Sequence, residues 1–144
     1  PEEMSIGIGI PGTVDSTTGL VKNSNIQILN DQPFAKDVTH ALGQPVAISN
    51  DANCFTLSEA IDGSAQGHNV VFGVILGTGC GGGLSMSQRI ISGANSCCGE
   101  WGHNPLPHYS LERDGPQVTC YCGQQNCVES FISGTGFERQ YRVH

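Results

Sequence analysis

A tight cluster of cysteines in the last third of the chain constrains its fold more than any other feature of the sequence. Cys120, Cys122 and Cys127 follow the pattern Cys-x-Cys-Gly-x-x-x-Cys, and His103 lies upstream of them. Three thiolates and one imidazole satisfy a tetrahedral zinc ion, and a closed set of four protein ligands is usually structural. The pattern therefore predicts a loop folded around Zn²⁺, with Gly123 letting the chain turn back onto the metal.

Two questions stay open for this cluster. The chain has seven cysteines, an odd number that cannot all pair, and it shows no secretory signal, so a metal is favoured over buried or disulfide-bonded thiols. His108 rivals His103 as the fourth ligand, because the gap between His103 and the first cysteine of the cluster is long. Cys97 and Cys98 are expected to be ordinary buried thiols.

The charge and hydropathy of the chain disfavour several classes of function. Thirteen acidic residues outnumber six lysines and arginines, for a net charge of -7, and no basic cluster marks a nucleic-acid surface in this segment. No apolar run approaches the roughly 20 residues of a membrane-spanning helix. Since the start of the chain also lacks a basic and apolar leader, a cytoplasmic protein without membrane association is expected.

The order of apolar segments predicts an α/β fold. Strands are expected where apolar residues alternate or run together, at 4–10, 46–48, 69–76 and 84–86. Helices are expected at 34–42, 50–65 and from Val128 onwards. The run 69–76 is nearly continuous in apolar residues, so it predicts a central strand covered on both faces.

Finer expectations concern turns and boundaries. Thr17-Thr18-Gly19 is the expected tip of a hairpin, 92–127 is expected to be loop, and Thr135 with Glu138 is expected to form a capping box. Phe55, Ala60 and Ile61 are expected to face inward from the helix 50–65. The stretch 63–69 is the best boundary between two lobes, 1–66 and 67–144.

Residues 77–83, between two predicted strands, contain five glycines together with Thr78 and Cys80. Neither a Walker loop nor a dinucleotide-binding fingerprint fits, because no helix follows the glycines. A hairpin of this kind can still turn backbone N–H groups towards a phosphate. A merely flexible or bulged hairpin is the equally weighted alternative.

Three carboxylates are candidates for binding or deprotonating a substrate. Asp51 follows a predicted strand and begins a predicted helix, where ligands bind in open α/β sheets. It is either a base for a hydroxyl nucleophile or part of a plain helix cap, together with Asn50. Glu100 and Glu129 flank the segment 101–128, called the cysteine loop below, where they either bind sugar hydroxyls or are simply solvated.

These segments together resemble the ROK family of sugar kinases and sugar-responsive repressors. The matching segments, in order along the chain, are Ile8–Gly12, Asn50–Asn53, Leu76–Gly83, Gly99–His103, and Cys120–Gly123 with Cys127–Glu129. Segments 21–25, 100–107 and 131–137 look most like the bacterial fructokinase (mannofructokinase) branch of that family. The N-acetylglucosamine kinase branch is the other near relative.

The resemblance implies an actin-like, ribonuclease-H-like fold of two lobes around the active site. It implies that Asp51 is the catalytic base on the 6-hydroxyl of the sugar. The residues implied to hold the sugar are Asn25, Asn50, Glu100, His103 and Glu129. Those implied to meet the ATP phosphates are Gly77, Thr78, Gly79 and Gly81. Those implied to hold zinc are His103, Cys120, Cys122 and Cys127, with the other ring nitrogen of His103 on the sugar.

The function implied by the resemblance is an ATP-dependent, Mg²⁺-requiring hexose kinase acting on fructose, or on mannose or glucose. Alternatives are an N-acetylglucosamine kinase and a sugar-sensing repressor whose DNA-binding domain would precede Pro1. The family's N-terminal Asp-x-Gly-Gly-Thr motif and its C-terminal adenosine-binding glycines are not found in these residues. A partial chain, inactive alone and part of a homodimeric kinase, is therefore expected.

Overall fold

Helices and short strands alternate along the computed structural model, which describes residues 4–143. The strands are β1 Ile6–Ile10, β2 Thr13–Val14, β3 Val21–Lys22, β4 Val46–Asn50, β5 Val70–Leu76, β6 Cys80–Met86 and β7 Arg89–Ile90. The α-helices are α1 Phe34–Leu42, α2 Asp51–Ile61, α3 Leu111–Asp114, α4 Glu129–Ile132 and α5 Gly134–Val143. No helix in this described part of the chain is long and apolar enough to cross a membrane.

The strands form three small sheets. β1 and β4 pair in parallel, with Ile10 opposite Asn50, and β2 pairs with β3 in an antiparallel hairpin. β5, β6 and β7 form an antiparallel sheet in chain order. Because β1 and β4 end side by side, the residues after Ile10 and those after Asn50 lie at one edge, where open α/β sheets bind ligands.

Helix α2 packs directly on β5 and β6, and glycines make that approach possible. Thr56 of α2 is fully buried, and its hydroxyl donates to the carbonyl of Ala52 at 2.8 Å. A Cβ at Gly73 would overlap the Thr56 hydroxyl and lie 2.9 Å from Thr56 Cβ, and one at Gly83 would lie 2.5 Å from that hydroxyl. The glycines of these strands therefore set the distance between helix and sheet.

Several expectations from the sequence are confirmed. Strand β1 and helix α1 lie where the pattern placed them, and α1 ends at Gly43 in the left-handed conformation, with φ of 69°. The hairpin between β2 and β3 turns at residues 15–20, where Asp15 Oδ1 accepts from the amides of Thr17 and Thr18. The α/β class also holds.

The expectation that β5 is covered on both faces is wrong for the described residues. Val71 and Gly73 are buried against α2, whereas the alternate residues Val70, Phe72, Val74 and Leu76 are 44–59% exposed. β5 therefore has one covered and one open face, because α2 packs on only one side of the sheet. A continuous apolar run does not reveal which face has a partner.

The inward positions of α2 also differ from the expectation. The helix ends at Ile61 rather than near Ala65, and it buries Ala52, Thr56 and Ala60, which are spaced at i, i+4 and i+8. Phe55 is 39% exposed and Ile61 44% exposed. Small residues face the sheet because the glycine strands bring it so close, which leaves the bulky residues outside.

The remaining differences lie at the ends of elements. β6 begins at Cys80, so Gly81, Gly82 and Gly83 belong to a strand, and α3 lies within the segment expected to be loop. Ser133, not Thr135, caps α5, because Ser133 Oγ accepts from the amide of Gly136 at 3.0 Å. Glu138 forms an ion pair with Arg142.

The vicinal thiols are less buried than expected, with Cys97 exposed and Cys98 half-buried. The stretch 63–69 connects α2 to β5 through turns. Since α2 packs on β5 and β6, the segments 1–66 and 67–144 share an interface, and their division into two lobes stays a prediction.

Replacing Gly73 by alanine is expected to destabilise the fold by about 1–3 kcal/mol, the usual cost of overpacking a close contact. The added methyl group would meet Thr56, which helix α2 can relieve only by moving. Gly7→Ala is the matched control, because a Cβ at Gly7 in β1 meets nothing within 4 Å. Urea unfolding of both variants measures the difference, and equal stabilities would contradict the packing argument.

Candidate functional site

One cavity of about 1230 Å³ collects most of the residues singled out from the sequence. Its walls come from the ends of β1 and β4, the loop after β3, the turn after β5, and the cysteine loop. The predicted residues that line it are Asn25, Asn50, Asp51, Gly77, Thr78, Gly79, Gly81, Glu100, His103, Cys122 and Glu129. Cys120 and Cys127 are buried beside the cavity rather than lining it.

Asn50 and Asp51 have different roles at the start of α2: one caps the helix and the other faces the cavity. Asn50 is the helix cap: its side-chain oxygen accepts from the amide of Asn53 at 3.1 Å, and its Nδ2 donates to the carbonyl of Gly12 at 2.9 Å. Asp51 is exposed to the cavity, and within residues 4–143 its carboxylate accepts one hydrogen bond, from the amide of Ala52 at 2.9 Å. The cap is thus provided by Asn50, which leaves an oxygen of Asp51 free for a substrate.

The loop that carries Asn25 is held by an amide side chain that sequence reasoning missed. Asn30 Oδ1 accepts from the backbone amide of Ser24, and Asn30 Nδ2 donates to the Ser24 carbonyl, both at 2.9 Å. Ser24 is 4% exposed, so this pair of bonds fixes the loop where it borders the cavity. The role of Asn30 could not be predicted, because an asparagine in a polar loop belongs to no recognisable sequence motif.

Three carboxylates and an imidazole converge on the cavity. Burial of its carboxylate raises the pKa of Glu100, His103 opposes that shift, and the negative charges of Glu129 and Asp51 add to it. The Glu100 side chain as a whole is exposed to the cavity, so solvent screens these effects. The arrangement offers a polyhydroxylated ligand several acceptors in one place.

Glu129 joins the cysteine loop to the turn after β5. It is 9% exposed, and its Oε2 accepts from the amide of Cys80 at 2.8 Å. A Cβ at Gly79 would lie 2.6 Å from the same oxygen, so a larger residue there would displace the Glu129 carboxylate. Burial and the Glu129 charge together raise the pKa of the Cys80 thiol.

The turn of residues 77–79 is the part of the glycine segment that faces the cavity. The amide of Gly77 donates to the Gly79 carbonyl at 3.0 Å, whereas the amides of Thr78 and Gly79 have no protein partner among the described residues. Two successive free N–H groups are a suitable anion site. Gly81 lies in β6 instead, where its carbonyl accepts from the indole of Trp101 at 2.8 Å, and a Cβ there would lie 3.4 Å from Ala52 Cβ.

The four predicted metal ligands lie together. Their donor atoms are all within 4.8 Å of one another, with His103 Nδ1 3.5 Å from Cys120 Sγ and Cys122 Sγ 3.6 Å from Cys127 Sγ. Tetrahedral zinc with ordinary bond lengths needs sulfur atoms about 3.8 Å apart and nitrogen about 3.6 Å from sulfur. The donor set therefore fits zinc, and it contains His103 rather than His108.

Protonation of the cysteine thiols competes with metal binding at this site. Burial and then the neighbouring thiols raise the pKa of Cys127 to about 12. Because zinc binds the thiolate, metal binding must release this proton, and the affinity is expected to fall as the pH falls.

The second ring nitrogen of His103 faces a residue that the sequence did not single out. His103 Nε2 lies 3.0 Å from the hydroxyl of Tyr121, and the two rings meet edge to face with centroids 5.1 Å apart. The resemblance placed this nitrogen on the sugar, whereas in the structure Tyr121, which also borders the cavity, occupies it. The aromatic residue between two predicted ligands was the available signal.

Comparison with known proteins assigns the chain to a family. The family model described as "ROK family" matches residues 1–144. An N-acetyl-D-glucosamine kinase of Histophilus somni is 43% identical over 142 residues, covering 96% of this chain and 47% of that protein. The chain thus spans about half the length of the curated relatives that it matches.

Two solved structures give the same fold. A ROK family glucokinase from Streptomyces griseus, in complex with glucose and AMPPNP, is 32% identical with a TM-score of 0.77, covering 94% of this chain and 41% of that one. A ROK family transcriptional regulator, a homolog of the E. coli MLC protein, is 25% identical with a TM-score of 0.79, covering 96% of this chain and 33% of that one. The actin-like fold expected from the resemblance is therefore confirmed.

Elemental analysis of the intact protein is expected to find about one zinc per chain, as a closed four-ligand site requires. Cys122→Ser and His103→Ala should lower that content, because each removes a donor of the cluster. His108→Ala is the matched control and should keep the metal. A zinc-free protein of unchanged stability, or loss of zinc in the His108 variant alone, would contradict this ligand set.

Glu100→Gln is expected to stabilise the fold at neutral pH and to have no effect in acid. The pKa of Glu100 is raised above its ordinary value of 4.5, so ionisation costs folding free energy as the pH rises through that value to the folded pKa. Below 4.5 both residues are neutral, and the difference should vanish.

Urea unfolding at about pH 3.5 and at pH near 7 tests this, with each variant compared with the parent at the same pH. Glu112→Gln, on the exposed side of α3, serves as the control. A Glu100→Gln protein less stable than its parent at neutral pH would show that the carboxylate stabilises the fold instead.

Proposed function

Since this chain belongs to the ROK family, we propose that it is the sugar-binding part of an ATP-dependent kinase that phosphorylates N-acetyl-D-glucosamine. The observation that carries the proposal is the single cavity shared by Asp51, the 77–79 turn and the cysteine loop. A base, an anion site and a set of sugar acceptors in one cavity are the parts that phosphoryl transfer to a sugar hydroxyl needs.

In this proposal Asp51 accepts the proton of the 6-hydroxyl as that oxygen attacks the terminal phosphate of ATP. Its carboxylate has an oxygen without a protein partner in the described part of the chain, at the start of α2. A loose phosphoryl-transfer transition state asks mainly for orientation of the hydroxyl and for charge stabilisation. Asp51 supplies the orientation and takes up the proton.

The sugar is held in this proposal by the groups that border the cavity around Asp51. Asn25, Glu100 and Glu129 offer amide and carboxylate groups to ring hydroxyls. Asn50 contributes by fixing Asp51 and Gly12, since both ends of its amide already bind the backbone. His103 acts together with Tyr121, whose hydroxyl it contacts.

Residues of the same cavity and of the cysteine cluster would hold the cofactors. Thr78 and Gly79 present N–H groups to the ATP phosphates, with Gly77 completing the turn, whereas Gly81 has a packing role. Mg²⁺ bound with ATP neutralises charge on the transferring phosphate. Zinc on His103, Cys120, Cys122 and Cys127 is a structural ion that fixes the loop carrying these side chains.

The preferred sugar rests on the relatives. Curated proteins 43–45% identical to this chain are named N-acetyl-D-glucosamine kinase, which favours that branch over the fructokinase branch expected from the sequence. The crystallised glucokinase relative was solved with glucose. An aldohexose, with or without the N-acetyl group, is therefore better supported than fructose.

A sugar-sensing regulator is the second candidate, because the regulator structure matches this chain with a TM-score of 0.79. Such a protein would bind the sugar without transferring phosphate.

The kinase proposal also includes the organisation of the whole protein. We propose that it has two lobes, 1–66 and 67–144, with the cavity between them, and that it is a homodimer located in the cytoplasm.

Coupled ADP release measures the proposed activity in the intact protein supplied with Mg²⁺-ATP and, separately, four sugars. N-acetyl-D-glucosamine is expected to give the highest kcat/KM, ahead of glucose, mannose and fructose. Fructose as the best substrate would return the assignment to the fructokinase branch. Sugar binding by calorimetry without any ADP release would support the regulator.

Asp51→Asn is expected to lower kcat by roughly 10²–10⁴, the usual loss when a positioned base is removed. Sugar binding, measured by calorimetry, should survive, because Asn50 still caps α2. Asp62→Asn at the other end of α2 is the matched control and should keep full turnover. Undiminished turnover in the Asp51 variant would remove Asp51 from the mechanism.

A further inference from the structure

In the turn of residues 77–79 all three carbonyls accept hydrogen bonds, whereas two of the three amides have no partner among the described residues. The Gly77 carbonyl accepts from the amide of Gly134 at 2.7 Å, and the Thr78 carbonyl accepts from Thr135 Oγ1 at 3.0 Å. The amides of Thr78 and Gly79 have no protein partner among residues 4–143. The start of α5 therefore binds the carbonyls of Gly77 and Thr78, whereas the Gly79 carbonyl accepts from the Gly77 amide within the turn.

The direction of the hydrogen bonds from α5 follows from the chemistry of each group. The Thr78 carbonyl can only accept, so the Thr135 hydroxyl donates its single proton there. In the 3.0 Å contact between the hydroxyls of Ser133 and Thr135, Ser133 must then be the donor. Ser133 Oγ in turn accepts from the amide of Gly136 at 3.0 Å. A chain of three bonds thus runs from the first turn of α5 to the 77–79 turn.

We propose that Ser133, Gly134 and Thr135 form a clamp that positions the 77–79 turn so that its free amides face the phosphates of ATP. This inference rests on the proposed function, because the occupant of the amides is taken to be ATP. Thr135 is a positioning residue in this account, since it touches the turn and not the substrate. Glu129, bound to the amide of Cys80, holds the other end of the same turn.

The clamp lowers the cost of binding an anion. Without it, the turn could rotate its peptide groups so that carbonyl oxygens, which repel phosphate, point into the cavity. Holding both carbonyls on α5 removes that freedom before ATP arrives, which is preorganisation in the ordinary sense. The sugar side of the cavity is not touched by Ser133, Gly134 or Thr135. Loss of the clamp should therefore weaken ATP more than sugar.

Thr135→Val removes the hydroxyl but keeps the shape of the side chain, and Thr135→Ser keeps the hydroxyl. In the intact protein, Thr135→Val is expected to raise KM for ATP between about threefold and about tenfold, the effect of one lost hydrogen bond. Its affinity for N-acetyl-D-glucosamine should change less than twofold, and Thr135→Ser should restore KM for ATP. An unchanged KM for ATP, or an equal loss of sugar affinity, would overturn the clamp.

Gly134→Ala tests the clamp without removing a hydroxyl. A Cβ at Gly134 would lie 3.0 Å from the Gly77 carbonyl oxygen, so the added methyl group presses on the turn. It should also raise KM for ATP selectively. Both variants are checked for folding by thermal unfolding, so that a general loss of structure is recognised.

Amide hydrogen exchange keeps the clamp testable if the proposed function fails. The hydrogen-bonded amides of Gly77, Cys80 and Gly134 should exchange faster in Thr135→Val than in the parent without any ligand, and Thr135→Ser should reverse this. Protein that releases no ADP but shows the faster exchange would refute the kinase and keep the clamp. Unchanged exchange in Thr135→Val would refute the clamp, whatever the activity.

Discussion

The hydrogen bond between the Glu129 carboxylate and the amide of Cys80 joins the parts on which the rest of the site depends. The carboxylate is nearly buried, and it follows the last cysteine of the cluster by two residues. It is bound to the first residue after the 77–79 turn, 49 positions away in the chain. This charge-assisted contact, the stronger class of hydrogen bond, therefore links the end of the cysteine loop directly to the 77–79 turn.

A second constraint fixes the position of Asp51, the proposed base, relative to the cysteine loop and the 77–79 turn. Small residues of α2 pack on glycines of β5 and β6, so the helix lies unusually close to the sheet that ends in the turn. The first residue of that helix is Asp51, and the residue before it caps the helix. Close packing of a helix on a glycine-rich sheet thus carries a carboxylate to the edge where the free amides lie. The glycines have two roles, one in packing and one at the turn.

The sequence was sufficient for the parts of the site that depend on local chemistry. The spacing of three cysteines predicted a set of donors that does come together, and Asp51 was placed at a strand-to-helix junction, as the structure has it. What the sequence could not show depends on long-range packing. The open face of β5, the exposure of Phe55, the binding of Tyr121 to His103 and the bond from Thr135 to the turn all depend on which surfaces meet. The periodicity of apolar residues along the chain does not reveal which surfaces pack together.

The most direct measurement is a crystal structure of the intact protein with N-acetyl-D-glucosamine and a non-hydrolysable ATP analogue. We expect the 6-hydroxyl of the sugar to lie within hydrogen-bond distance, about 3 Å, of the Asp51 carboxylate. We also expect phosphate oxygens to accept hydrogen bonds from the amides of Thr78 and Gly79. A sugar bound with its 6-hydroxyl turned away from Asp51, or phosphates bound elsewhere, would contradict the account.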